Sequence, residues 1–236
     1  MYQYHQQRPT PHYLFDVAQG KMWDQRAVNI FGFNTLVGTS FETLWNDGAT
    51  YVFPSSAVAM DLVSTSASDT MDVLVSGLDS SYNEISETVT LTGTVAVTTS
   101  ASFLRVNSAI ILGGQNAGDI SVINGGTTYA FIGTNLGTTQ ACIYTVPAGH
   151  SLYIFRIDFN SATANSNKYL TVRNKLATHT GRVLNVAEAT FSTSQVSYDR
   201  QVPFKIAEKT DFEFQAKSSS GDNEVAVFVE CVLIKN

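Results

Sequence analysis

The chain has 236 residues, 44% of them hydrophobic and 11% aromatic, with only 14% charged and a formal net charge of −6. A length of this kind suits one large β domain or two of about 100 residues each, and we read two. The charged fraction lies well below the roughly 25% of an average globular chain, so the surface must be made mostly of Ser, Thr, Asn and Gly, and no cluster of Lys and Arg exists to hold a nucleic acid.

Residues 1–34 show neither the helical nor the strand period. Gln, His and two prolines, Pro9 and Pro11, are interspersed with single aromatics. This stretch reads as an extended arm. Tyr13, Phe15 and Trp23 are its candidate interaction residues, because a segment too irregular to bury such side chains itself places them in a groove of its own chain or a neighbour. The arm lacks the charged and apolar regions of a secretory leader, and no run approaches the roughly 20 apolar residues of a membrane span. The expectation is a soluble protein made in the cytoplasm, with no membrane partner.

Residues 35–138 read as a β-sandwich module of short strands, at 41–45, 51–53, 58–63, 94–98, 103–112, 120–123 and 129–132, with one hairpin at its centre. In that hairpin, spanning 71–93, Met71, Val73 and Val75 share a face, as do Ile85, Val89 and Leu91, and the period of two marks half-buried strands. Gly77, Asp79, Ser80, Ser81 and Asn83 supply the turn chemistry between them. Breaker clusters at 113–118 and 124–126 separate later strands, and no helix-period segment of useful length appears. Residues 1–138 carry 4 Lys and Arg against 11 Asp and Glu, whereas 139–236 carry 10 against 9, and Arg105 is the only basic residue between Ala27 and Phe155. Soluble sheets often guard their edges with Lys. Edges here are therefore covered or paired with neighbours, or else blunted by Asp and short strands.

Residues 133–139 read as a linker, and 139–236 as a jelly-roll-like module of about eight strands opening at Ala141. Its apolar runs lie at 169–172, 183–186, 194–198, 204–206, 212–216 and 225–233. Cys142 and Cys231 sit in apolar runs and read as buried free thiols rather than a disulfide framework.

The search for chemistry is brief. No nucleophile elbow, phosphate loop or zinc-helix motif occurs. His150 follows a Pro-Ala-Gly turn, as in metal-binding jelly rolls, yet no second His stands two residues on and no Glu follows at ligand spacing. His5, His12 and His179 are isolated on polar stretches. Glu84 with Glu87, or Asp222 with Glu224, would be the acid and base pairs of a glycan-cleaving enzyme, but both sets lie where they simply solvate. Asn116 with Asp119, or Asp222 with Asn223, lack the dense acidic pattern of a calcium loop. The expectation is a non-enzymatic protein with no catalytic, cofactor or metal residues.

Several stretches carry a family resemblance. Gly38-Thr-Ser-Phe-Glu-Thr-Leu-Trp45 running into Tyr51-Val-Phe-Pro54, Gly77-Leu-Asp79 with Tyr82-Asn-Glu84, Ser86-Glu-Thr-Val-Thr-Leu91, and Ser102-Phe-Leu-Arg-Val-Asn107 are similar to virion structural proteins of tailed bacteriophages, those of cyanophages and other marine phages especially. Tyr144-Thr-Val-Pro-Ala-Gly149 and Pro203-Phe-Lys-Ile-Ala-Glu-Lys209 extend the likeness across roughly residues 30–236. The motifs are turn-forming rather than catalytic. The resemblance implies a virion component, expected as a capsid decoration or cement protein, with a tail or fibre component that binds a host receptor or glycan as the alternative. The implied partners are a major capsid protein or tail proteins and further copies of the chain itself, as a homo-oligomer expected to be a trimer.

Overall fold

The computed structural model of the protein describes residues 13–162 and 168–236. Among them are one six-residue helix, α1 (Tyr13–Ala18), and sixteen strands in four sheets whose ladders are all antiparallel.

Two of the sheets enclose one core. The first has the order β1 (Gln25–Val37), β16 (Asn223–Lys235), β11 (His150–Ser161), β14 (Gln195–Ile206). The second has the order β10 (Ile143–Thr145), β15 (Thr210–Ser218), β12 (Leu170–Thr178), β13 (Val183–Phe191), and the short β2 (Glu42–Thr43) pairs with β15. Strand β16 shows why the sheets meet: Val225, Val227, Val229, Cys231 and Leu233 are buried in the core, while Glu224 and Glu230 point outward. A period of two puts one row on each face, and burying the apolar row drives the sheets together.

The other two sheets form a second module with a core of its own, which includes Met60, Val73, Phe103, Ile120 and Ile132. Their orders are β6 (Val97–Phe103), β3 (Val58–Ser64), β8 (Ile120–Asn124), β9 (Thr127–Ile132), and β5 (Glu84–Thr90), β4 (Asp72–Leu78), β7 (Arg105–Leu112). After β1 and β2 the chain leaves the outer module to make β3 to β9, and it returns at β10. Its second module is an insertion. The expected hairpin at 71–93 is β4 and β5, paired from Asp72 with Thr90 to Leu78 with Glu84. In its turn, Asp79 Oδ1 accepts from the Ser81 and Asn83 amides at 2.7 and 2.9 Å, and Tyr82 takes a left-handed φ of 66°.

One expectation is corrected. The arm assigned to residues 1–34 is not a separate extended segment over its described part, because 13–18 is helical and Gln25–Val37 is a thirteen-residue strand built into the outer module along β16; residues 1–12 lie outside the described residues. Strand β1 also supplies an eighth strand beside the seven that follow residue 139. Residues 37–44 pack on the outer module, through Val37, Leu44 and the pairing of β2, rather than with 58–138.

The reason β1 escapes a reading by period lies on its inner face. Val28 and Ile30 face the core, but the next two inward positions are Gly32 and Asn34. There the backbone of 44 and 142 crosses the strand, with Cys142 N donating to Leu44 O at 2.8 Å. A Cβ on Gly32 would fall 2.2 Å from Leu44 O and 2.4 Å from Cys142 N. Asn34 Nδ2 donates to Thr43 O at 3.3 Å. A bare position and a polar tie replace two apolar knobs, so the alternation disappears where the strand is most enclosed. Gly32→Ala is expected to cost about 1–3 kcal/mol by overpacking, read as a lowered urea midpoint with unchanged far-ultraviolet circular dichroism before the transition.

Candidate interaction surfaces

The two modules are locked at one buried ion pair. Arg105, at the start of β7, donates from Nε to Asp211 Oδ1 at 2.7 Å and from Nη2 to Asp211 Oδ2 at 2.8 Å. Its Nη1 donates to the carbonyls of Pro54 and Leu104, both at 2.7 Å, and its guanidinium lies 5.1 Å from the centre of the Phe53 ring. Thr145 Oγ1 donates to Asp211 Oδ1 at 2.7 Å, and the Asn107 side chain pairs with both backbone groups of Thr145. Burial alone would lower the Arg105 pKa; the hydrogen bonds and charge of Asp211 outweigh it and hold the group above its ordinary value.

Beside this lock, the outward face of β15 carries a row of polar side chains roofed by residues 41–43. Glu213, 1% exposed, accepts from Lys175 at 3.0 Å, Gln215 at 2.6 Å and Thr43 at 3.2 Å. Burial raises its pKa and Lys175 opposes the rise. Phe41 is flanked by the cations of Arg173 at 3.8 Å and Lys217 at 4.6 Å.

Of the three expected interaction residues, Tyr13 folds back on its own chain, its hydroxyl donating to Gln25 Oε1 and its pKa raised chiefly by burial. Phe15 and Trp23 point outward, at 67% and 88% exposure, with Leu14 beside them at 52%. The backbone next to Trp23 is nevertheless anchored. Asp24 accepts at its carbonyl from Lys235 N at 2.8 Å, and Gln25 is already paired with Ile234.

A second exposed region lies on the opposite side of the outer module, where β14 and β13 end their sheets. Pro203 within β14 fits an edge strand, since proline has no amide to give to a further ladder. Val183, Val186, Tyr198 and Val202 along these strands are exposed at 57, 37, 41 and 80%. Between the sheets opens a cleft of about 200 Å³, walled by Ile154, Ile157, Phe159, Val172, Phe204 and Phe214. Asn174 also lines it, 4% exposed, and its Oδ1 has no hydrogen-bond partner among the described residues. Arg200 stands at the cleft with its guanidinium 5.3 Å from the centre of the Phe204 ring. Nothing in the polar spacing of β12 marked Asn174 in advance.

A polar groove of about 490 Å³ separates β1 from the inserted module, lined by Arg26, Asn29, Glu84, Asn107 and Tyr144 among others. Arg26 forms an ion pair with Glu84 there. Burial pushes the Tyr144 phenol up to about 12.

Of the carboxylates weighed for chemistry, Glu84, Glu87 and Asp119 have structural partners. Glu87 accepts from the amides of Ser100 and Ala101 at 2.8 and 2.7 Å, apart from the Arg26 contact of Glu84. Asp119 accepts from the amide and hydroxyl of Thr134, and Asn116 ties Gly118, Gly133 and Gly137 together. Lys168 donates to the Asp222 carbonyl. His150 Nδ1 lies 2.9 Å from Ala148 O, His179 packs edge-on to Tyr82, and His5 and His12 lie outside the described residues. Among the described residues, no group of three or more His, Cys, Asp or Glu is placed to hold a metal. Cys142 and Cys231 are free and buried.

No family model matches the chain, and no curated protein matches it. Among solved structures it is similar to infectious bursal disease virus of the Gt strain (10% identity over 90% of this chain and 73% of that chain, TM-score 0.25) and of the Gx strain (12%, 90%, 71% and 0.23). A VP2 subviral particle of the same virus also matches (10%, 90%, 76% and 0.21). Likeness at these scores assigns neither fold nor function.

Removing one member of the buried pair strands the other without a partner, so Arg105→Ala or Asp211→Ala is expected to cost about 3–5 kcal/mol, whereas replacing both by Leu costs less than either alone. Urea unfolding of the three variants gives the comparison.

Proposed function

We propose that the protein is a non-enzymatic structural component of a bacteriophage virion, a decoration or cement protein on the head, built as a jelly roll that carries an inserted β module. The observation that carries this reading is the strand order of the outer module. Counting its eight strands along the chain with the two-residue β2 set aside, one sheet runs first, eighth, third, sixth and the other second, seventh, fourth, fifth. That interleaving is two Greek keys wound together, the jelly-roll plan used by many capsid and lectin domains.

Fold alone does not give function. The stretches that resemble tailed-phage virion proteins, from Gly38 to Trp45 and from Pro203 to Lys209, support the same reading. The surface agrees as well, with few charges, exposed apolar side chains at two separated places, and carboxylates engaged in holding loops. A protein of this kind stabilises a head by bridging capsid subunits and further copies of itself, and a trimer suits the local three-fold positions of a head lattice. Its site of action is the virion, after synthesis in the host cytoplasm. Among the described residues, no helix is long and apolar enough to cross a membrane.

One observation favours the alternative of a tail or fibre component: the polar groove between the modules offers amides, a guanidinium, a carboxylate and the phenol of Tyr144, which is the chemistry that holds a sugar. Labelling intact virions with an antibody to the protein, viewed by electron microscopy, separates the readings. Decorated heads, together with heads that leak DNA on heating when the protein is missing, are the expected result. Label on tails alone moves the protein to the alternative, and virions without label remove both.

A further inference from the structure

The chain displays an exposed indole on an anchored stretch of backbone at one edge of its outer module and a mainly apolar cleft at the other. Trp23 leads into β1, while the cleft opens beside β14, and these are opposite ends of one four-stranded sheet. Three strand spacings of ~4.8 Å, roughly 14 Å, separate the two edges, so the indole cannot fold back into its own cleft.

The geometry points to a head-to-tail contact between copies of this chain, in which Trp23 of one copy fills the β13–β14 cleft of the next. Size is the first argument. A cavity of ~150 Å³ is enough to take benzene, and this one, at about 200 Å³, has room for the larger indole. Hydrogen bonding is the second. An indole is an apolar plate with one N–H donor and no acceptor. The cleft is walled mainly by apolar side chains, with Glu188, Tyr198 and Arg200 also among its lining residues, and the Oδ1 of Asn174 is a buried, unpartnered acceptor within it. A buried vacant acceptor in a mainly apolar cleft favours Trp over Phe15 or Leu14, neither of which has a donor to give. Charge is the third: Asp24 follows Trp23, and Arg200 stands at the cleft, where Glu188 is the one carboxylate among the lining residues. When the indole enters, the two are brought to the same rim.

Because donor and receptor are different patches, the contact is heterologous, and it closes into a ring or runs on as a filament according to its rotation. Placing the patches at opposite edges of one sheet suits a ring around a symmetry axis. This contact rests on the structural role proposed above, and it names the surfaces through which that role is carried out.

Sedimentation velocity of the full chain over a concentration series tests it. The wild type is expected to associate, with its tryptophan emission shifting to the blue as Trp23 leaves water; Trp45 is already buried and does not contribute to the shift. Trp23→Phe keeps the ring and leaves the Asn174 oxygen vacant, weakening association about tenfold. Trp23→Ala abolishes it. Ala187→Trp, at an exposed position lining the cleft, blocks the receptor without touching the core and abolishes it equally. Asp24→Arg weakens it, and Asp24→Arg with Arg200→Asp restores it. A wild type that stays monomeric at about 100 μM, or association of undiminished strength in both Trp23→Ala and Ala187→Trp, overturns the contact. Virions that still carry the Ala187→Trp protein on their heads would overturn the contact and leave the virion role standing.

Discussion

The architecture depends on a single buried ion pair. A loop of chain that leaves one β module, builds a second and returns has no inherent orientation, because its two connecting strands act as a hinge. Arg105 removes that freedom. Its five donors are fixed in a plane, and here they are spread over a carboxylate on β15 and the carbonyls of Pro54 and Leu104, which belong to both modules and to the crossing between them. The gain in stability over an apolar contact of the same shape is small, since both charges must be stripped of water. What the pair supplies is geometry: the docking of the inserted module must satisfy all four of these hydrogen bonds at once.

A chain so poor in Lys needs other ways to keep its sheets from pairing at random. In the inserted module the answer is the carboxylate. Glu87 on β5 receives two amides at the margin of β6, and Asp72 and Asp61 each accept from a threonine across their ladders at 2.5 Å. Acidic residues do there what cationic ones do elsewhere. In the outer module, β15 is protected on both faces, one by the core and the other by residues 41–43 over Glu213 and Gln215. β13 and β14 leave Val183, Val186, Tyr198 and Val202 in water beside the cleft, and Phe31 and Leu36 on β1 are exposed as well.

Local pattern made some of this legible. The β4–β5 hairpin could be read because Val73, Val75, Val89 and Leu91 alternate with polar residues around a turn rich in Asp, Ser and Asn. The nearly all-β class followed from the same rule, and Phe15 and Trp23 stood out as aromatics with nothing local to bury them. Strand β1 could not be read, since Gly32 and Asn34 occupy inward positions where another segment crosses. Arg105 was visible as an isolated cation, but its carboxylate lies 106 residues away, and no local spacing encodes a contact across that separation. The cleft was hidden for a similar reason. Its walls come from five strands, and Asn174 sits in a stretch of β12 that reads as ordinary polar surface.

The central place of β16 also dictates the order in which this polypeptide matures. Strand β1 leaves the ribosome ahead of the rest of its sheet, and its partner is made about two hundred residues later, while β11 must flank that same partner. The outer module therefore cannot close until translation has passed residue 235. The inserted module faces no such delay, because every strand it needs lies between 58 and 132. Contacts of short separation form quickly and long loops close slowly, so the inserted module is a folded bead while β1 and its exposed apolar row wait in an incomplete sheet. That interval is when the nascent chain is most open to mispairing with a neighbour on the same message.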